Sequence, residues 1–222
     1  MGTIYLVRHA QASFGSDDYD RLSPLGWRQG QRLGEHLRAH GLHFDAVFTG
    51  TLRRHHETWL AIRTGWEAAR DAQVWPGLDE YDSAALIEAL KAPPPGDLHT
   101  PEGYRAHFRL LRDALRQWMA GVISPRGMPD YEAFRSAAVS LLEHIRHAHT
   151  GDVLVISSGG PIASLVGHLL GTSPEASIEL NLRLRNTAVS EVAHTPRRCA
   201  LVSFNTLPHL TAPEYRDWIT HA

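Results

Sequence analysis

Several features that mark particular classes of protein are scarce in this sequence. Its single cysteine, Cys199, cannot form an intramolecular disulfide, and it excludes zinc sites that need several cysteines. No apolar run approaches the ~20 residues that cross a bilayer. Lysine and arginine number 22 against 24 acidic residues, so the formal charge is −2 and no general attraction to nucleic acid or acidic membranes is expected.

The first ten residues also lack targeting signals. They carry no charged n-region and no small-residue cleavage site of a secretory leader. Leu6 occupies the position where a myristoylation motif needs serine or threonine. We therefore expect a soluble cytoplasmic protein without a membrane or nucleic-acid partner, and its oligomeric state stays open.

What the sequence does contain is a normal globular composition with many histidines. Its 222 residues are 43% hydrophobic and 21% charged, which excludes a disordered chain and allows a large core. Histidine occurs 15 times, about one residue in fifteen. The length predicts a single domain over residues 1–222 with an insertion.

Short apolar runs alternate with helical patterns along the chain. The strand-like runs are 3–7, 44–48, 73–75, 153–156, 188–193 and 200–205. Helices are predicted from Ser23-Pro24 to Gly41, over 52–69, from Asp130 to about 150, and from Pro161. This order predicts an α/β fold, a three-layer α/β/α sandwich with a mostly parallel sheet. Residues 82–127 are predicted to be a helical insertion that can act as a lid.

Candidate functional groups follow four of the predicted strands, where ligands collect in such sheets. Two strand ends carry arginine, one of them beside a histidine, and another ends in a glycine-rich helix start. Guanidinium groups and free helix N–H groups both suit phosphate oxygens. The four segments are Arg8-His9, Arg53-Arg54, Asp79-Glu80 and Ser157-Ser158-Gly159-Gly160.

These motifs together resemble those of the histidine phosphatase superfamily, which has a phosphoglycerate-mutase-like fold. Leu6-Val7-Arg8-His9-Ala10 is similar to its signature, with Ala10 where glycine is usual. The resemblance covers most of the chain outside the insertion. It continues through residues 19–26 with Gly30, 48–58, Glu80, 153–171 and 186–187.

The resemblance implies a catalytic mechanism without metal or cofactor. His9 would be the nucleophile, Arg8 and Arg54 would hold the phosphoryl oxygens, and Glu80 would be general acid and then base. Arg54 matches better than Arg53 because threonine follows it at the expected distance. A small phosphorylated substrate is implied, and the phosphate-binding residues would be Arg8, Arg54, Ser158, Gly159 and Gln11.

One departure from the family pattern affects the expected activity. The resemblance implies a second pocket histidine between Ser157 and Gly159, where this chain has Ser158. We expect a phosphomonoester hydrolase, slower because a donor able to carry charge is replaced by a neutral hydroxyl. The alternative is a non-catalytic phosphate-binding or regulatory protein. A mutase is a weaker alternative because residues 13–18 lack the Trp-Asn stretch usual in the family's mutases.

Other histidines and arginines have plainer interpretations. His55 and His56 are adjacent on a helix, so at most one can face the pocket and substitute for the missing histidine. The interpretation that we favour is that both are surface residues. A basic stripe in the insertion is interpreted as a solvated face, or else as a surface that attracts a polyanionic or phosphorylated substrate. The metal-compatible pairs are His36 with His40 and His144 with His147, and the basic stripe is Arg105, Arg109, Arg112 and Arg116.

Overall fold

A computed structural model describes residues 1–13, 20–67, 70–93, 96–97 and 100–221. The strands are β1 Gly2–Arg8, β2 Ala46–Thr49, β3 Gln73–Val74, β4 Val153–Ser157, β5 Val189–Thr195 and β6 Arg198–Thr206. The helices are α1 Pro24–Ala39, α2 Arg53–Trp66, α3 Ser83–Ala89, α4 Pro101–Met119, α5 Tyr131–Ala148, α6 Gly159–Leu170 and α7 Pro174–Arg183. The predicted α/β fold is confirmed.

The six strands form one mixed sheet in the order β3-β2-β4-β1-β5-β6. β1, β2, β3 and β4 run parallel, whereas β5 and β6 form an antiparallel hairpin at one edge. The parallel strands place their carboxyl ends at the same edge of the sheet. In the register, Arg8 on β1 lies opposite Ser157 on β4, and Thr49 on β2 lies opposite Ile156.

Helices cover both faces of the sheet, as the predicted three layers require. α1 and α2 pack on one face, where Leu33 and Ile62 join Val47 in one buried cluster. α5 and α6 pack on the other, where Leu141 and Leu165 join a second cluster. β4 is buried along its whole length, which explains its continuous apolar sequence.

The predicted helix at Ser23-Pro24 forms for the expected reason. Ser23 is the N-cap of α1, and its hydroxyl oxygen accepts a hydrogen bond of 3.0 Å from the Gly26 N–H. Other predicted boundaries need correction. β2 begins at Ala46 instead of residue 44, and α6 begins at Gly159, two residues before Pro161. Residues 68–69, at the end of the second predicted helix, lie outside the described residues.

The segment predicted as a helical insertion contains α3 and α4. Its apolar side chains form a third buried cluster with α5 and with α7, a helix that the sequence patterns did not predict. Members of this cluster include Leu86, Leu111, Leu115, Trp118, Phe134 and Ile178. In the part of the chain that the structure describes, no helix is long and apolar enough to cross a bilayer.

Candidate active site

The site begins where β1 and β4 end side by side. The His9 N–H donates a hydrogen bond of 2.8 Å to the Ser157 carbonyl, which continues the parallel pairing one residue beyond the strand. The residue that follows β4 is Ser158, which is the N-cap of α6. Sheet register therefore brings the predicted nucleophile beside the position where the resemblance implies a second histidine.

The His9 ring has the form that a nitrogen nucleophile needs. Its Nδ1 lies 2.8 Å from the Ala10 carbonyl, an acceptor, so Nδ1 carries the proton and Nε2 keeps a lone pair. The side chain is 3% exposed. Burial, followed by the charges of Arg8 and Arg54, holds the pKa of His9 well below its usual range. The ring is thus neutral at neutral pH.

Backbone bonds fix the loop that carries His9. Thr187 has a left-handed backbone (φ +56°), and its N–H donates to the Arg8 carbonyl at 3.1 Å. The Asn186 amide donates to the His9 carbonyl at 3.2 Å. On the other side, the Thr58 hydroxyl accepts from the Ala10 N–H at 3.0 Å. The turn at residues 186–187, matched from sequence, is therefore part of the site's framework.

The structure separates the two arginines at the start of α2. Arg54 is 7% exposed, and its guanidinium donates to the Asp20 carboxylate at 2.7 Å. Arg53 is exposed and pairs with Glu57 along the helix at 2.7 Å. Arg8, also buried, donates to the Leu184 carbonyl. Two buried guanidinium groups, those of Arg8 and Arg54, thus adjoin His9.

Glu80 is half-buried near the amino terminus of α6. The Gly160 N–H donates to both of its carboxylate oxygens, at 3.1 and 3.2 Å. A Cβ on residue 160 would lie 2.2 Å from Oε1, so this approach requires glycine. Burial raises the pKa of Glu80 above its usual value, although the Gly160 N–H, Arg54 and Arg8 act in the opposite direction. A raised pKa suits a proton donor.

The other predicted phosphate-binding residues are placed less uniformly. Gly159 opens α6 directly after Ser158, so both lie at the helix amino terminus. The Gln11 side chain is instead held at the start of α1, because its oxygen accepts from the Ser23 hydroxyl at 2.6 Å. Its backbone N–H donates to Gln29 at 2.9 Å. The structure therefore gives Gln11 framework contacts.

The interpretation of His55 as a surface residue is wrong. His55 is 0% exposed, its ring centroid lies 5.8 Å from that of His9, and its Nε2 is 2.7 Å from the Ser158 hydroxyl oxygen. His56 is exposed, as expected. Adjacent helical side chains diverge by roughly 100°, and the packing of α2 turns the first of the two inward.

Two acidic residues make contacts at the site that the sequence did not assign. Asp20 accepts from the Arg53 N–H at 2.8 Å as well as from the Arg54 guanidinium, so it joins a loop to the start of α2. Asp79 lies 3.8 Å from the His55 Nδ1. Asp20 lies within a segment that resembles the family, and Asp79 precedes Glu80. The spacing of neither residue in the sequence predicts which side chain it contacts.

The site has a buried part and an exposed part. We call the first the site floor, and it consists of Arg8, His9, Arg54, His55 and Ser158. Beside it, α4 and α7 border a groove of about 480 Å³, which we call the outer groove. Its lining residues are Tyr104, Arg105, Phe108, Arg109, Arg112, Glu179, Leu182, Arg183 and His221.

His221 links these two parts. It lines the outer groove, and burial followed by the charges of Arg8 and Arg185 lowers its pKa. The basic stripe predicted on α4 is partly neutralised: Arg105 pairs with Glu102 and Arg112 with Glu179. The Glu179 carboxylate gives the groove a mixed charge pattern.

The two histidine pairs with metal-compatible spacing lie elsewhere. His36 and His40 stack with ring centroids 4.0 Å apart, and His144 packs on Phe48 and Trp75. Among the described residues, no three histidine, cysteine or acidic side chains come together in an arrangement that could hold a metal ion.

Comparison with known proteins gives a family model and several relatives. The model of the histidine phosphatase superfamily (branch 1) matches residues 4–207. A 2,3-bisphosphoglycerate-dependent phosphoglycerate mutase of Nitratidesulfovibrio vulgaris is 26% identical and aligns over 82% of this chain and 83% of its own.

Solved structures show the same fold at low identity. A phosphoserine phosphatase from Entamoeba histolytica, in complex with phosphoserine, is 18% identical with a TM-score of 0.64, covering 95% of this chain and 100% of that one. A mycobacterial glucosyl-3-phosphoglycerate phosphatase is 19% identical with a TM-score of 0.67, covering 93% and 100%.

Proposed function

The chain belongs to the histidine phosphatase superfamily, and on that premise we propose that it is a metal-independent phosphomonoester hydrolase acting through a phosphohistidine. The observation that carries the proposal is the state of His9. Its ring is buried and neutral, Nδ1–H donates a hydrogen bond to a carbonyl, and Nε2 keeps its lone pair beside two buried arginines. Superfamily membership supports a phosphatase or a phosphoglycerate mutase-like enzyme in general.

In the first step, Nε2 of His9 attacks phosphorus in line, forming the N–P bond as the ester P–O bond breaks. Arg8 and Arg54 neutralise the charge on the non-bridging oxygens. The electron pair of the broken bond stays on the leaving oxygen, which takes the proton of Glu80 and departs as an alcohol.

In the second step, the ionised Glu80 takes a proton from water as the water oxygen attacks the phosphoryl group. The N–P bond breaks, His9 regains its lone pair, and inorganic phosphate leaves. The half-buried position of Glu80 and its raised pKa support this exchange of roles, because a carboxyl with such a pKa holds a proton nearer neutral pH.

We favour hydrolysis over mutase chemistry because phosphatases are among the structural neighbours. The names of two structural neighbours, a phosphoserine phosphatase and a glucosyl-3-phosphoglycerate phosphatase, agree with hydrolysis of a small phosphomonoester.

We place the non-phosphate part of the substrate in the outer groove. Phe108 and Leu182 offer apolar contact there, and Arg109 offers a positive charge that meets no carboxylate partner among the described residues. This arrangement supports a substrate with an apolar portion and a second anionic group. In this proposal residues 82–127 are an insertion in one domain, and α4 within it forms one wall of the groove.

The test is a panel of phosphomonoesters offered to the wild type and to His9→Ala, with His56→Ala as a control on the exposed neighbour of the floor. We expect phosphate release by wild type and control, and loss in His9→Ala on the order of 10⁴-fold or more. Acid-labile phosphate should be trapped on wild type alone. Binding of phosphoesters without any release would instead establish the non-catalytic alternative, and isomerised phosphoester would establish a mutase.

A further inference from the structure

His55 is a fully buried histidine that the two steps above do not use. Its side chain is 0% exposed and lies with its ring centroid 5.8 Å from that of His9. Burying an imidazole among polar groups is costly unless its nitrogens face suitable partners. The two groups in front of its nitrogens therefore indicate what the ring does.

Ser158 is the group in front of Nε2. This serine occupies the N-cap of α6, a position where a hydroxyl ordinarily accepts from the helix's own N–H groups. Here its side chain makes no such capping bond and lies 2.7 Å from His55 Nε2. The hydroxyl is thus directed by His55 and not by the helix.

Asp79 is the group in front of Nδ1. Its Oδ1 lies 3.8 Å from Nδ1, which has no hydrogen-bond partner among the described residues. The Thr51 N–H, at 2.6 Å, and the Thr51 hydroxyl both donate to Asp79 and hold it in place. A Cβ at Gly50 would lie 2.3 Å from both Nδ1 and Oδ1, so this approach depends on glycine.

The charged and titratable groups around the ring come from three elements. Arg54 precedes it on α2, His9 follows β1, and Asp79 follows β3. In the free protein, burial and then the Arg54 charge lower the pKa of His55 to about 3, so the ring is neutral. A phosphate dianion beside His9 offsets the Arg54 charge and favours a protonated ring.

We propose that His55 and Ser158 form one phosphate-binding unit, in which the His55 ring takes up a proton as a phosphate dianion binds and the Ser158 hydroxyl donates to a phosphoryl oxygen. The proton comes from solvent and occupies the ring nitrogen that lacked one. Nδ1–H then faces Asp79, and Nε2–H donates to the Ser158 oxygen, which frees the serine proton for the ligand. His55 is a positioning residue, and this inference rests on the proposed function.

Proton uptake is the first readout. Inorganic phosphate is titrated calorimetrically into wild type, His55→Gln and His56→Gln at pH 8, in two buffers with different ionisation enthalpies. We expect wild type and His56→Gln to take up more protons per bound phosphate than His55→Gln. Equal uptake by wild type and His55→Gln, or no binding of phosphate to wild type, would overturn the proposal.

Kinetic coupling is the second readout. His55→Ala and Ser158→Ala should each lower kcat roughly 10²-fold, and the double variant should be no slower than either one, because the two residues act as a unit. Multiplicative losses would contradict the proposal. The double substitution His55→Ala with Ser158→His moves the imidazole from position 55 to position 158. Its kcat should be at least about tenfold higher than that of His55→Ala alone. A further loss would also contradict it.

The design separates this inference from the proposed function. If the wild type releases no phosphate from any ester, the proposed function fails, while proton uptake still decides the role of His55. Thermal unfolding of each variant checks the fold. If His55→Ala does not fold, His55→Gln, which conserves the size of the side chain, replaces it in the comparison of single and double variants.

Discussion

The site floor and the outer groove lie side by side and are built under opposite physical conditions. Every floor residue is at most 7% exposed, and the floor is joined to strand ends and helix starts by short hydrogen bonds. The groove is lined mainly by long side chains on the outer faces of α4 and α7, with exposed ion pairs such as Arg105–Glu102. Charges on the floor act in a medium of low polarity, whereas those of the groove are screened by water.

If the proposed function is right, this difference assigns the chemistry to the floor and the choice of substrate to the groove. A buried group that lacks its partner is costly, so the floor tolerates little change. An exposed ion pair contributes about 0 to 1 kcal/mol, so groove residues can change without loss of the fold. Substitutions on the floor should therefore act on turnover and those in the groove on substrate affinity.

The largest effect on turnover is expected for Glu80→Gln, at a carboxylate that contacts Gly160, two residues after the floor residue Ser158. The substitution keeps an acceptor for the Gly160 N–H but removes the exchangeable proton, so kcat should fall by roughly 10² to 10⁴. In the wild type, activity should decline as pH rises through the raised pKa of Glu80, because the acid form is lost, and this limb should vanish in the variant. Glu88→Gln, on the exposed side of α3, is the control. A variant with normal kcat would remove Glu80 from the mechanism.

Arg54→Lys and Arg53→Lys compare a floor residue with its exposed neighbour. Lysine keeps the charge but loses the planar fork that Arg54 presents to Asp20 and to phosphate, so kcat/KM should fall by about 10². The same change at Arg53 should leave kcat/KM within about twofold, since that residue pairs with Glu57 on the surface. Steady-state kinetics of the two variants measure this difference in kcat/KM. Equal losses of kcat/KM in the two variants would contradict the division, because the exposed Arg53 would then matter as much as the buried Arg54.

Stability should also depend on pH through buried histidines. Burial, then the Arg54 charge, lowers the pKa of His55 to about 3, and burial, then His36 and Arg32, does the same for His209. Below about pH 6.5 the unfolded chain binds protons that the folded one does not. The free energy of unfolding should thus fall as pH decreases toward 3, by up to ~1.4 kcal/mol per pH unit for each histidine.

Urea unfolding of wild type between pH 7.5 and pH 5.5 measures that slope. His209→Gln should make the dependence shallower, because one buried proton-binding group is gone. His43→Gln, at an exposed position, should leave the slope as it is. An identical slope in wild type and His209→Gln would show that buried histidines do not set acid stability.

The smallest expected effect belongs to the outer groove. Arg109→Glu should raise KM by roughly 3- to 10-fold for phosphoesters that carry a second negative group, with kcat within about twofold, and added salt should shrink the difference. Arg116→Glu, on the same helix but outside the groove lining, should change KM much less. A drop in kcat for Arg109→Glu with unchanged KM would break the division between floor and groove.

Much of the fold followed from sequence because its elements depend on local chemistry. The apolar run of β4 is buried on both faces, and the Ser23-Pro24 start of α1 forms a capped helix as predicted. Some boundaries differ from the prediction: α6 begins at Gly159, two residues before the predicted start, because Gly159 and Gly160 are already helical. α7 was missed although its start has the same local signal as that of α1, with Ser173 as N-cap and Pro174 as the first helical residue.

The candidate site was also partly accessible from sequence. Arg8 is the last residue of β1, and His9, Arg54 and Glu80 come after strands. Parallel strands bring their carboxyl ends together whatever the surrounding helices do. Motif spacing was therefore enough to nominate them. For Gln11 the structure shows hydrogen bonds to Ser23 and Gln29, and its contact with phosphate stays a prediction.

The sequence by itself determined the fold class, the family and the four residues with proposed roles in turnover. Only the tertiary structure decided that His55 and not His56 faces inward, and that Ser158, 103 residues away, lies in contact with it. The physical reason is rotational phase. Neighbours on a helix point roughly 100° apart, and the packing of α2 against the sheet, which no local pattern encodes, selects the one that joins the site floor.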